Sequence, residues 1–422
     1  MKRIIVMKYI LLLVLTLHLS CVFAQKKYSP ELPKPNHNLI LQAPINTWDE
    51  AVPLGNGLMG GLLWGENNTI RLSLDRGDLW DERTNGEPDW WKKYTYKKGA
   101  KLIGQGKYEE VNDQWDKPYG GVTPTKLSAG RMEIQLPVSE IVKNFELNLS
   151  SAEGIAHFIS NSEIKVIYCA TEPVVLLSIK GMIPNRVNLL SNMDIYRRNM
   201  QVEASISSGG TMEKLGYPEA VKGKLDNAQW YIQEAADGLK YCVYVQSRQI
   251  QNETLLAIAI TTTNDTSDFL SLAKQRCALA LGKGYEGALK KHKQWWEKFW
   301  LQSSISIPDE VVQRQYNLVQ YFYGAASRAD APPMPLQGVW TADNGSLPPW
   351  KGDYHNDLNT QMTYMAYQES GRFDQGLSYI NYLWDRRKVF RDFAKYFYET
   401  DGLACPGVMS YAGQPLGGWG AV

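Results

Sequence analysis

Cysteine, histidine and net charge are all scarce in this chain, and each scarcity removes a class of function. Five cysteines are spread over 422 residues. Cys169, Cys242, Cys277 and Cys405 are far apart, with neither CxxC nor zinc spacing, so they read as buried free thiols rather than a disulfide framework. Of the five histidines, His37, His157, His292 and His355 lie beyond the amino-terminal leader. None has the clustered partners a metal centre needs, so neither a metal nor another cofactor is expected. The formal charge is +1 and falls to −2 when Lys2, Arg3 and Lys8 leave with that leader. A near-neutral chain does not suit nucleic acid or an anionic membrane as its main partner. GxSxG, a Walker loop and a paired dinucleotide fingerprint are also missing. The glycine run PLGNGLMGGLLWG leads into strands rather than a helix, so it is no phosphate cradle.

Long apolar runs are equally rare. Tyr9 to Leu19 is apolar apart from Thr16 and His18, is preceded by Lys2, Arg3 and Lys8, and is followed by Val22-Phe23-Ala24. That is the pattern of a secretory signal cut after Ala24, and it is too short to span a bilayer. A lipoprotein signal ending at Cys21 is the alternative, against which His18 stands where an aliphatic residue is wanted. The expectation is therefore a secreted or periplasmic protein with no membrane span.

Aromatic residues are abundant instead, with 14 Trp and 24 Tyr. Such rings suit the faces of sugars as well as cores. From Asn38 to about Ala280 the chain shows short alternating runs separated by turn signals. Ile70, Leu72 and Leu74, for example, alternate with Arg71, Ser73 and Asp75, the periodicity of a half-buried strand. Nine or more such runs, with one helix possible near Tyr108 to Trp115, predict a large antiparallel β-sandwich. The segment SLAKQRCALALGKGYEGALKKHKQWWEKFW then turns helical, with Trp295, Trp296, Phe299 and Trp300 as an aromatic packing face. Helices follow over about 310–328, capped by Asp309, over 360–370, stopped by Gly371, and over 375–398 as one or two pieces. The divisions are 1–24 signal, 25–280 sandwich, 281–307 helical linker and 308–422 helical domain.

Between the helices lies a loop rich in Pro and Gly, ending PPWKGDYHNDLNTQMTY (Pro348 to Tyr364). Asp357 and Asn359 would point roughly 200° apart on a helix and converge only in the turn before it. There, a carboxylate and an amide can hold one water between them, as the base side of an inverting glycosidase requires. The structural alternative is that Asn359 caps the helix and Asp357 favours its positive end. His355 can donate to a sugar hydroxyl or be satisfied by backbone. Trp340 and Trp350 can stack on a pyranose or wedge the loop onto the sandwich.

Two segments resemble glycoside hydrolase family 95, the inverting α-L-fucosidases and related α-L-galactosidases. Trp48 with AVPLGNGLMGGLLWG (Ala51 to Gly65) and RLSLDRGDLW (Arg71 to Trp80) is similar to the family's amino-terminal pattern. Ser327-Arg328, LQGVW (Leu336 to Trp340) and PPWKGDYH (Pro348 to His355) are similar to the start of its barrel. The resemblance implies a multidomain β + α architecture of β-sandwich, helical linker and an incomplete (α/α)6 toroid. It also implies Asp357 and Asn359 as catalytic residues, with His355, Trp340, Trp350, Tyr354 and Gln361 as contacts for an oligosaccharide or glycan. Where the family carries the first of two water-positioning asparagines, this chain has Asp357, which can act as the base itself. Met365 replaces a family Trp. The family's general acid is a glutamate on a later helix, so the chain is expected to be the amino-terminal portion of a longer enzyme. Glu369 and Glu399 match no acid motif.

Three rival readings remain. A toroidal polysaccharide lyase could use Tyr354, His355 and Asn359, but uronates want a basic cleft and this loop carries Asp343, Asp353 and Asp357 against Lys351. A secreted sugar-binding remnant would need no acid. A phosphorylase would need basic residues near the base position.

Overall fold

The computed structural model describes residues 30–84, 89–199 and 210–417. The leader, with the Cys21 alternative, lies outside the described residues. Two antiparallel sheets form the first part of the chain. The larger has nine strands, running from Leu39–Gln42 at one edge through Val175–Lys180 and Glu253–Thr262 to Val221–Leu225 at the other. The smaller has five, in the order Arg186–Leu190, Arg131–Gln135, Thr69–Arg76, Met59–Glu66 and Val52–Gly55. Residues of both sheets, among them Leu63, Leu72, Ile134, Phe145, Val166 and Ile258, close one apolar core, so the expected sandwich is present.

The Thr69–Arg76 strand follows its alternation only in part. Ile70, Leu72 and Leu74 enter the core as the period-2 pattern requires. Ser73 and Asp75, on the polar face, are buried too. The loop ahead of the helical region covers them: Thr341 donates from its backbone N–H and hydroxyl to Asp75 at 3.1 and 2.9 Å, and Ser73 donates to Asp343 at 2.5 Å. Asp75 also meets the fully buried Lys126 at 2.5 Å. Lys126 in turn donates to the carbonyls of Arg76 and Leu127 at 2.9 and 2.8 Å. What reads as a solvent face is thus the seat of the second half of the molecule.

The glycine run has the same purpose. A Cβ on Gly55 would strike the Ala325 carbonyl, and one on Gly60 would strike Val339. The missing side chains let the 310–326 helix and the LQGVW segment lie directly on the sheet, where Gly57 N–H donates to Ala325 O at 2.7 Å.

The linker is a helix, Phe269–Trp300, broken in its backbone at Gly284. Cys277 before the break and Tyr285 after it are both buried against the outer face of the large sheet. Its aromatic end stacks Trp296 on Tyr321, centroids 5.2 Å apart, so these rings serve packing as expected. The next helix, Glu310–Ala326, is capped by Asp309, whose carboxylate accepts from Val311 and Val312 N–H at 2.8 and 3.1 Å. Helices Asn359–Glu369, Phe373–Asp385 and Arg387–Phe397 follow. The long run after Gly371 is therefore two helices.

Two expectations need correction. The one helix foreseen near residue 108 is part of a larger helical excursion (Trp90–Lys93, Tyr96–Gly104, Tyr108–Val111 and a wider turn to Asp116). It is held because Trp90, Trp91 and Trp115 pack on Phe393 and Phe397. Cys405 is exposed, unlike the other three thiols, and all four are free. Among the described residues, no helix is long and apolar enough to cross a membrane.

Candidate active site

The loop that carries the candidate residues is built from unfavourable backbone. Trp350 and Lys351 have φ of +53° and +59°, followed by Gly352 at +60°. Left-handed geometry costs roughly 1–2 kcal/mol for each non-glycine residue, so the surroundings must impose it. Lys351 is buried and its ammonium donates to the carbonyls of Gly121 and Thr123. Gly352 sits where a Cβ would press on the Lys126 side chain. Burial pushes the Lys351 pKa down to about 8, against the pull of Asp353. Strain held in place by buried partners is a common mark of functional loops.

Asp353 is the loop's fixed point. It is fully buried, accepts from Tyr119 Oη at 2.9 Å and accepts from Nδ1 of His355. Tyr119 comes from the end of the helical excursion, so the sandwich domain helps to set the loop. Burial raises the Asp353 pKa, opposed by His355, Tyr119 and Lys351. Burial works against charge on His355, yet the hydrogen bond and charge of Asp353, with the charge of Asp357, outweigh it and raise the imidazole pKa. Asp353 thereby fixes the tautomer and orientation of His355, as a buried carboxylate does for a working histidine.

The turn that follows is pinned from below. Asn356 N–H donates to Gly407 O at 2.6 Å, its side-chain amide donates to Pro406 O at 3.1 Å, and its side-chain oxygen accepts from Tyr379 Oη at 2.8 Å. Asp357 N–H donates to the same Gly407 carbonyl at 3.2 Å. With Asn356 buried, Asp357 and Asn359 project to the exposed side. Asn359 is the first residue of its helix and Leu358 the cap, with no side-chain cap bond. The two therefore stand either side of a helix start, in and beside the turn.

The remaining expected residues divide. Gln361 is exposed on the same helix, and its amide donates to Asn356 O. Trp350 is 42% exposed and presents its edge to His355 at 5.8 Å. Tyr354 lies in the core, stacked between Trp80 and Tyr382 at 6.0 and 4.8 Å, its hydroxyl donating to Pro333 O at 3.1 Å. Trp340 donates to Leu54 O at 2.8 Å and lines an apolar cavity of about 730 Å³ with Trp48, Phe322, Met334 and Met362, which Trp350 does not line. Trp350 and His355 are therefore in ring contact, Asp357, Asn359 and Gln361 stand exposed just beyond them along the chain, and Trp340 and Tyr354 make their contacts elsewhere. Tyr119 and Asp353 were not foreseen as site residues. Only Asp353 had a local signal, two positions before the histidine.

A sandwich with a helical domain laid on it thus bears an exposed carboxylate and amide and an oriented histidine beside an aromatic ring. Three comparisons say what the chain is similar to. Residues 260–417 match the glycosyl hydrolase family 95 catalytic domain, and residues 39–208 match the amino-terminal domain of glycosyl hydrolase family 65. A stretch of 73 residues is 36% identical to "Probable alpha-fucosidase A" of Aspergillus niger, covering 17% of this chain and 9% of that protein. The fold is similar to a solved structure described as "Putative kojibiose phosphorylase from human microbiome", with a TM-score of 0.51 and 10% identity. The likeness covers 92% of this chain and 53% of that one, so the chain spans about half the length of this neighbour. The resemblance to family 95 seen in the motifs therefore holds over the helical region, and the sheet-then-helices architecture is shared with the structural neighbour.

Proposed function

We propose that this protein is a secreted glycoside hydrolase that cleaves α-L-fucosides or related α-linked sugars with inversion. The observation that carries the reading is the exposed Asp357–Asn359 turn beside the Asp353–His355 pair, inside the stretch that matches the family 95 catalytic domain. Asp357 takes the proton of the attacking water, and the Asn359 amide orients that water. His355, held by Asp353, donates to a sugar hydroxyl, and Trp350 offers a ring to the sugar face. Inversion requires an acid roughly 6.5–9.5 Å across the sugar. Glu369 is at the far end of the Asn359–Glu369 helix, about 15 Å along it by the helical rise, and Glu399 is engaged by Lys97. The acid then comes from further helices of a toroid. The apolar side chains Met365, Ile380 and Trp384, 69%, 46% and 64% exposed, are the faces such helices would cover. On this reading the divisions fall at 24, 280 and 307, and the leader is cut to leave Gln25.

The test is turnover of an aryl α-L-fucoside by the full-length protein and its Asp357→Ala variant. Loss of a general base costs about a hundredfold or more. Turnover within tenfold of wild type would sink the assignment. Phosphorolysis is disfavoured because the cation of this loop, Lys351, is buried and bonded to carbonyls. Accordingly, phosphate should not be needed for sugar release.

A further inference from the structure

The near-neutral total charge hides an uneven distribution. Residues 90–107 carry six lysines, Lys92, Lys93, Lys97, Lys98, Lys101 and Lys107, and no acidic residue. Residues 387–398 add Arg387, Lys388, Arg391 and Lys395 against Asp392 alone. The whole chain sums to +1, so these two short stretches are basic against an acidic remainder. They are also neighbours in space. Trp91 packs on Phe393 with centroids 5.6 Å apart, Tyr96 meets Tyr398 at 5.5 Å, and the Lys92 ammonium lies 5.5 Å from the Tyr396 ring centre. All ten cations are exposed, as are Tyr96 and Tyr396.

The fold itself gains little from these charges. In the helix Tyr96–Gly104, Lys97 and Lys98 occupy the first turn, where the helix dipole favours acidic residues and none is present. Lys97 and Lys101, one turn apart with like charge, also work against the helix. By helical geometry these three lysines fall within an arc of about 100°, so they present to one side. Asp89, Glu110, Glu399 and Asp392 answer Lys92, Lys107, Lys97 and Lys388. Lys98, Lys101 and Arg391 have no ion pair among the described residues. Both stretches lead into the supports of the Asp357 turn. The first runs on to Tyr119, which meets Asp353 and the Trp350 ring, and the second to Gly407, whose carbonyl accepts from Asn356 and Asp357. We propose that this face holds a polyanionic glycan, one whose sugars carry sulfate or carboxylate groups. Lysines answer such groups as point charges, and exposed tyrosine rings suit the apolar faces of the sugars between them. The choice of a glycan over another polyanion rests on the hydrolase reading.

Full-length protein carrying Asp357→Ala, which consumes no substrate on that reading, is titrated calorimetrically with dextran sulfate and with unsulfated dextran at physiological ionic strength. Dextran sulfate should bind and dextran should not, with affinity falling as salt rises. Adding Lys98→Gln and Lys101→Gln together should weaken binding about tenfold or more, since one lysine near an anionic surface is worth roughly fivefold. Tyr396→Ala alone should weaken it about threefold. All three positions are exposed, so the fold survives their replacement. An absence of binding, or an affinity unchanged in either variant, would overturn the proposal. So would phosphatidylglycerol vesicles or duplex DNA binding as tightly as dextran sulfate. An aryl α-L-fucoside carries no polymer, so its turnover tests hydrolysis alone and the titration tests this face alone.

Discussion

The clamp between the sandwich and the loop that leads to the site rests on Asp75, and replacing it should be costly. Asp75 accepts from Lys126, from the Arg76 N–H and from both donors of Thr341. Burial raises the Asp75 pKa, against the opposing pull of Lys126 and Thr341. Asp75→Asn keeps the shape but leaves the fully buried Lys126 ammonium without its counter-charge. Removing one partner of a buried ion pair costs about 3–5 kcal/mol. With unfolding entropy of about 2.1 cal/mol/K per residue over roughly 390 residues, that corresponds to about 4–6 °C in Tm. Urea unfolding of Asp75→Asn, of Lys126→Met and of the double variant gives the coupling directly. The double variant should be more stable than the summed singles predict by at least about 2 kcal/mol. A loss under about 1 kcal/mol for Asp75→Asn, or simple additivity, would refute the clamp.

Two further outcomes follow from the same interface. Burial lifts the Asp343 pKa from 3.8 to about 6, opposed by Arg131 and Ser73. The folded state therefore holds this proton more tightly, and stability falls as pH rises from about 4 to about 6, by about 3 kcal/mol, and is flat above; the slope should vanish in Asp343→Asn, and unfolding of the two proteins across that window checks it. Gly60→Ala puts a methyl group into Val339, and calorimetry should show a loss of about 1–3 kcal/mol, the usual cost of overpacking.

The strands of the sandwich were legible because their signal is local. Ile70, Leu72 and Leu74 face the core wherever the rest of the chain goes. The burial of Ser73 and Asp75 was not legible, because their cover comes from Thr341 and Asp343, some 270 positions away. The same distance hid Tyr119, whose hydroxyl reaches Asp353 across 234 positions. Capping by Asp309 and the stop at Gly371, with φ of +66°, were readable from residue type alone. The break between residues 385 and 387 was not, since apolar spacing runs on through it while the Arg386 guanidinium leaves to lie over Tyr382 and Tyr411. At the site, a turn ahead of the helix was readable, but it holds Asp357 alone, because the helix already begins at Asn359. Tyr354 and Trp340 were not separable from Trp350, because an aromatic residue reads alike as platform or wedge until its neighbours are known.

The central claim is hydrolysis by direct attack of a water held at Asp357, and the stereochemistry of the first product tests it. Proton NMR during cleavage of an α-L-fucoside by the full-length protein should show the β-anomer of the free sugar before mutarotation supplies the α form. Initial release of the α-anomer would mean retention through a covalent intermediate and would contradict the account.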